Sequence, residues 1–202
     1  RVYGDSSPEP GHYCTPLSVN EQILEQLTIT LDQVAKAQQA IKNKGGGAAT
    51  DIALGRAANA LMLASTHGGA ARTRRLIGAA LTAKGSEDYQ QLLGWFPLLN
   101  TALLTLPDDP EVRSAGTELG LAEDILQGDS KGNALKHLHM AAHYLGCDEL
   151  DIPLEQANNA LTSLFVKIAQ GHTAKPSAFD KVLTLLRTAM NAMFERYKAI
   201  PN

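Results

Sequence analysis

Apolar residues return every three or four positions along most of the chain, and glycine, proline and short polar runs break the pattern into segments. Leu27, Leu31, Val34 and Ile41 stand at helical spacing and put one stripe on a partner. Ser18, with Glu21 three residues on, reads as the capping box that opens this helix. Gly45 to Gly47 ends it, because glycine accepts the left-handed conformation of a helix stop. A second helix spans about Thr50 to Ser65, with Ile52, Leu54, Ala57, Ala58, Leu61 and Met62, and its small residues permit close helix approach. His67-Gly68-Gly69 breaks it, and a shorter helix follows from about Ala70 to Ala83. Ser86 restarts the pattern through Tyr89, Leu92, Leu93, Trp95 and Phe96 until Pro97 kinks or breaks the element.

Leu98 to Leu106 resumes as helix, apolar nearly all round, as expected of a bundle interior or an oligomer contact. Trp95, Phe96, Leu99 and Leu103 are the candidate interface residues of this stretch. Asp109 caps the next helix with Pro110 at its first position, and Gly128 stops it. The following helix runs from about Lys131 to Leu145 and stops at Gly146. Pro153 opens another, striped by Leu154, Ala157, Leu161, Leu164, Phe165 and Ile168. Ser177, with Asp180 behind it, caps the last, where Phe179, Val182, Leu183, Leu186, Met190, Met193 and Tyr197 face one way. No segment keeps strand-like alternation. The expectation is an all-α fold, a bundle of antiparallel helical hairpins with about seven to eight helices. Residues 1–17, with Pro8, Pro10 and Pro16, form an extended leader, and 18–202 a single helical domain.

A degenerate helix–Gly–helix unit recurs at AIKNKGGGAATDIALGRAANALMLA from Ala40, ILQGDSKGNALKHLHMAAHYL from Ile125 and IAQGHTAKPSAFDKVLTLLRTAM from Ile168. The spacing between copies is irregular and the tetratricopeptide pattern is missing, so compact hairpins are expected rather than a solenoid.

Composition narrows the function classes. Aromatics make up 5% of the chain against 44% hydrophobic residues in all, a balance that favours helix on helix. Net charge is −3, which leaves no basic excess for phosphates, so nucleic acid is not an expected partner. Arg72, Arg74 and Arg75 read as a solvated helix face. No apolar run reaches the ~20 residues a membrane-spanning helix needs. The chain opens at Arg1 rather than Met, which a removed export signal or a trimmed end explains equally. Its two cysteines, Cys14 and Cys147, either pair as a staple in an oxidising compartment or stay as thiols.

Between Leu121 and Gln170 the order LAEDILQGDSKGNALKHLHMAAHYL, a short polar loop, then DIPLEQANNALTSLFVKIAQG resembles the YfdX family of bacterial exported helical proteins. Members carry a helix–Gly-Asp–small turn, a helix with Ala and Leu at helical spacing, and a Pro-Leu dipeptide before a helix that ends in glycine. Gly128-Asp129, Ala134, Leu138, Ala141, Pro153-Leu154 and Gly171 occupy those positions, and the resemblance extends mainly over residues 121–193. It implies an all-α fold, a periplasmic location, a homo-oligomer and a link to stress such as acid or drug exposure. It brings no catalytic residues.

Ligand chemistry concentrates at His139, His143 and Cys147, one helical turn apart in succession. Two such histidines can share Zn or Cu, with a thiolate as a further soft ligand, or serve as boundary residues that charge near pH 6. His137 and Tyr144 read as solvated. The glycine run at Gly45 lacks the strand before it and the Lys-Ser/Thr ending of a phosphate loop, and no nucleophile elbow occurs. The expectation is a non-enzymatic exported protein acting by protein or small-molecule contact in envelope stress, without cofactor. The alternative is a metal-binding or metal-buffering protein using the histidine stripe.

Overall fold

The computed structural model describes residues 8–14, 17–43, 47–83 and 88–198. Their order is α1 (Leu17–Lys42), α2 (Ala48–Ser65), α3 (Gly69–Thr82), α4 (Tyr89–Leu93), α5 (Phe96–Leu104), α6 (Pro110–Gln127), α7 (Ala134–Tyr144), α8 (Asp148–Ala169) and α9 (Pro176–Lys198). No strand occurs among the described residues, and the fold is an all-α assembly of helical hairpins. The expectations placed on Gly45, Gly46 and Ser86, and on the Ser18 and Tyr197 side chains, lie outside the described residues.

The sequence pattern leads to one helical domain over 18–202, whereas the contacts form two compact units. One comprises the leader with residues 68–147. The other comprises residues 16–67 together with 148–202. The helical part of the first unit, residues 68–147, is therefore inserted in the sequence between two hairpins of the second, and the leader precedes both.

In the second unit α1 packs on α2 and α9, and α8 packs on α9 and α2. The cross-hairpin hydrogen bonds set direction. Gln38 near the end of α1 donates through Nε2 to the Pro176 carbonyl and to Asp180 Oδ1, both at 2.8 Å, at the start of α9. Asn158 of α8 donates to Ser65 Oγ at the end of α2, at 3.2 Å. Each neighbouring pair thus runs antiparallel, the up-down topology of a four-helix bundle. Its core takes Leu27 and Val34 from α1, Leu54 and Leu61 from α2, Leu161 and Leu164 from α8, and Phe179 and Leu186 from α9. Ser177 is not the cap: α9 begins one residue earlier at Pro176, and Asp180 serves as an acceptor for Gln38 of α1.

Pro153 does not open α8. The helix starts at Asp148, and Pro153 lies inside it and buried. Asp148, Glu149 and Asp151 sit in the first turn, where carboxylates favour the positive end of the helix dipole and draw it N-terminal to the proline. Further on, α8 ends as the sequence predicts. Gly171, at φ 76°, donates to the Ile168 carbonyl and His172 to that of Lys167, the paired bonds of a Schellman stop. Gly128 ends α6 in the same way, with Asp129 donating to the Asp124 carbonyl at 2.9 Å.

In the inserted unit α7 packs on α6 and α3, and α5 bridges α3 and α6. The break before α5 falls at Gly94-Trp95, so Pro97 sits in its first turn, where no amide donor is needed. Pro110 opens α6 as expected with Asp109 at the N-cap position, but the Asp109 side chain makes no capping bond to the helix. Gly146 shows no positive φ; α7 closes instead on a tight turn in which Gly146 donates to the His143 carbonyl. Leader residues 8–14 complete this end. Gly11 donates to the His143 carbonyl at 2.8 Å and Tyr13 to that of Gly146 at 3.0 Å, so the leader takes up acceptors that a helix end leaves unpaired.

Candidate functional site

The histidine stripe lies in the inserted unit. His139 and His143 are exposed on α7, one turn apart. Cys147 is 4% exposed and forms a disulfide with Cys14. It has no thiolate to offer, which corrects the three-ligand set, and no group of three or more potential ligands gathers among the described residues. His137 is half-buried rather than solvated, its Nδ1 2.5 Å from Glu118 Oε2 of α6. Tyr144 packs against the core of the unit instead of facing solvent. Tyr13 of the leader is buried there too. Burial first, then the neighbouring Asp109 carboxylate and its hydrogen bond, and the charge of Glu111, push its phenol above the ordinary value of 10.0.

Of the candidate interface residues, Phe96 and Leu99 are fully enclosed in this core, with Trp95 and Leu103 packed against it. Leu103 rests on α6 where Gly116 gives it room: a Cβ on that glycine would stand 3.2 Å from Leu103 Cδ2. The segment is core, and its outward face is carried by Leu98 and Leu104 instead. The apolar run makes α5 look buried all round; only one side finds neighbours within the unit.

The more developed concavity lies in the four-helix unit, at the bundle end where α1 and α8 finish and α2 and α9 begin. Two cavities share His172, Thr173 and Ala174 of the α8–α9 connection. The larger, about 970 Å³, is a groove along the end of α8 and the start of α9. Lys167, Lys175 and Lys181 line it, and no carboxylate does among the described residues. In a chain of net charge −3 this is a local reversal of sign. The smaller, about 330 Å³, has Ile41 and Ile168 as apolar walls and Thr50 and Asp51 from the first turn of α2.

The start of α2 is built unusually. Gly47 occupies the N-cap at φ 89°, and among the described residues no side chain caps the helix. A helix N-terminus concentrates partial positive charge on amides that lack intrahelical acceptors. Thr50 is 2% exposed and its hydroxyl has no hydrogen-bond partner. Leaving such a group unsatisfied costs about 1–3 kcal/mol. These residues carried no sequence signal of their own. Thr50 reads as a polar helix-start residue, and only the folded unit buries it. Lys167, His172, Lys175 and Lys181 are dispersed along the sequence and converge because Gly171 reverses the chain.

Compared with protein-family models, curated proteins and solved structures, the chain matches none.

Proposed function

We propose that the protein is a non-enzymatic helical binding protein of an oxidising, periplasm-like compartment, which takes a small molecule at the end of its four-helix unit. The observation that carries this reading is the 330 Å³ cavity there, with apolar walls from Ile41 and Ile168 and the unpartnered Thr50 hydroxyl beside them. Ligand sites combine that kind of apolar concavity with a few polar groups that fix orientation. The Cys14–Cys147 disulfide supports the compartment, since such bonds persist where thiols are not kept reduced. The resemblance of residues 121–193 to YfdX proteins supports the same placement and adds envelope stress and self-association to the proposal. No helix among the described residues is long and apolar enough to cross a membrane.

Ligand-observed NMR with a fragment mixture on the oxidised full chain tests the reading. Saturable binding is expected, and Ile168→Trp, which fills the cavity, is expected to abolish it while circular dichroism stays unchanged. Binding indifferent to that substitution, or no binding at all, would remove the bundle end as the working site.

A further inference from the structure

The larger groove of the four-helix unit gathers charge of one sign. Lys167 stands in the last turn of α8, Lys175 directly before α9 and Lys181 early in it, and all three line one concavity of about 970 Å³. Each is exposed, and no hydrogen bond or ion pair engages any of them among the described residues. Lys167 complements the negative end of α8. Lys175 and Lys181 do the opposite at the positive end of α9, whose first turn carries no acidic residue. Asp180, beside Lys181 in sequence, accepts from Gln38 of α1 and is not part of the groove lining. A convex helix face keeps such cations apart in solvent. A concavity brings them together, and an anion seated among them relieves their repulsion.

We infer that the groove is an anion site in its own right, separate from the smaller cavity, and that it takes a soluble sugar carrying two phosphate groups. Lysine ammoniums act as compact point charges toward phosphate oxygens, and no arginine fork stands among the described lining residues. Each phosphomonoester carries about −1.5 to −2 at neutral pH, so a bisphosphate matches the ammoniums better than one phosphate does. Ser163, Gln170, Thr173 and Ser177 offer hydroxyl and amide groups to a polyhydroxylated body. No aromatic side chain lines the groove among the described residues, which removes the stacking that nucleobases use. Its one large apolar residue, Leu164, is buried, so nothing large and apolar projects from it to enter a bilayer. The phosphates therefore arrive on a soluble molecule rather than on a lipid headgroup.

Calorimetric titration of the oxidised full-length chain with fructose 1,6-bisphosphate, fructose 6-phosphate and fructose tests the assignment. The bisphosphate is expected to bind about tenfold tighter than the monophosphate, with fructose weaker still, and to weaken as salt is added. Lys175→Gln with Lys181→Gln should weaken the bisphosphate about tenfold while circular dichroism stays unchanged. Lys175→Arg with Lys181→Arg keeps the charge and should retain most of the affinity. Lys131→Gln with Lys136→Gln alters the net charge equally at two exposed lysines of the other unit and should leave binding as it was. Fructose binding as tightly as the bisphosphate, or equal losses from the two Lys→Gln double substitutions, would overturn the assignment. Binding confined to vesicles containing phosphatidylinositol 4-phosphate would also overturn it, since the phosphate would then be a headgroup. Ile168→Trp fills the smaller cavity and should not change bisphosphate affinity; a loss there would place the anion in that cavity and overturn the separate groove. The series of fructose ligands is read on the native chain, so it decides the matter should a variant unfold. Fragment binding at the smaller cavity and bisphosphate binding in the groove thus succeed or fail independently.

Discussion

Tyr13 carries a pH dependence of its own. Its phenol is buried in the inserted unit beside the Asp109 carboxylate, and both burial and the neighbouring negative charge hold the proton on. In the unfolded chain the same group releases its proton at the ordinary value near 10.0. Above that pH the folded state therefore binds more protons than the unfolded one, and stability falls as pH rises toward the raised folded value. Below it, Tyr13 is protonated in both states and its contribution is complete. Urea denaturation of the native chain and of Tyr13→Phe at about pH 8 and about pH 11 should show the native chain losing more stability across that interval. Equal losses would mean that Tyr13 is not the group responsible. Neither this tyrosine nor Thr50 could be identified from its neighbours in sequence. Tyr13 sits in a Pro/Gly-rich leader without periodicity, and its burial depends on α6 and α7, more than ninety residues away.

Helix ends are the elements whose logic is most local, and they were correspondingly legible. Gly128 at φ 86° and Gly171 at φ 76° terminate α6 and α8 with the same pair of backbone bonds, as the two Gly-centred copies predict. Gly120 lies within α6 with ordinary helical φ and open space around its Cα. The two glycines of one helix should then respond oppositely to the same change. Gly128→Ala is expected to cost about 1 kcal/mol, because an L side chain is disfavoured in the left-handed region. Gly120→Ala should gain about 0.5–1 kcal/mol from reduced backbone entropy in the unfolded chain. Chemical denaturation of both variants reads the difference, and like signs would contradict the assignment of Gly128 as a stop. Proline misleads at this scale, as does Gly146, which follows α7 without the left-handed conformation of a stop. Pro153 lies inside α8 because the acidic turn before it sustains helix, and nothing in the Pro-Leu dipeptide says where that turn begins.

Across the whole molecule, the Cys14–Cys147 disulfide joins the leader to the end of the 68–147 segment within one unit, beside two of the three points where the chain passes between units, over a sequence separation of 133 residues. Closing a loop of that length lowers the entropy of the unfolded chain by an amount worth about 4–5 kcal/mol. Replacing both cysteines by serine should accordingly lower the denaturation midpoint by a comparable free energy and release Tyr13 from its burial, visible as increased tyrosine accessibility. An unchanged midpoint would show that the leader is held by its backbone bonds to His143 and Gly146 alone. By itself the sequence determined the helices, most of their stops and many of the residues on each buried face, because helical spacing and glycine stops act within a few residues of one another. It left open which faces meet. Leu27 and Val34 of α1 pack with Phe179 and Leu186 of α9 across the inserted segment, and a hydrophobic stripe specifies that it must be covered without specifying by what. Only the tertiary structure decided that α1, α2, α8 and α9 form one bundle, that Cys147 pairs with Cys14 instead of joining the histidines, and that Ile41, Thr50 and Ile168 meet around a cavity at the bundle end. Each of these depends on bringing distant segments together, and no local pattern of side chains encodes that distance.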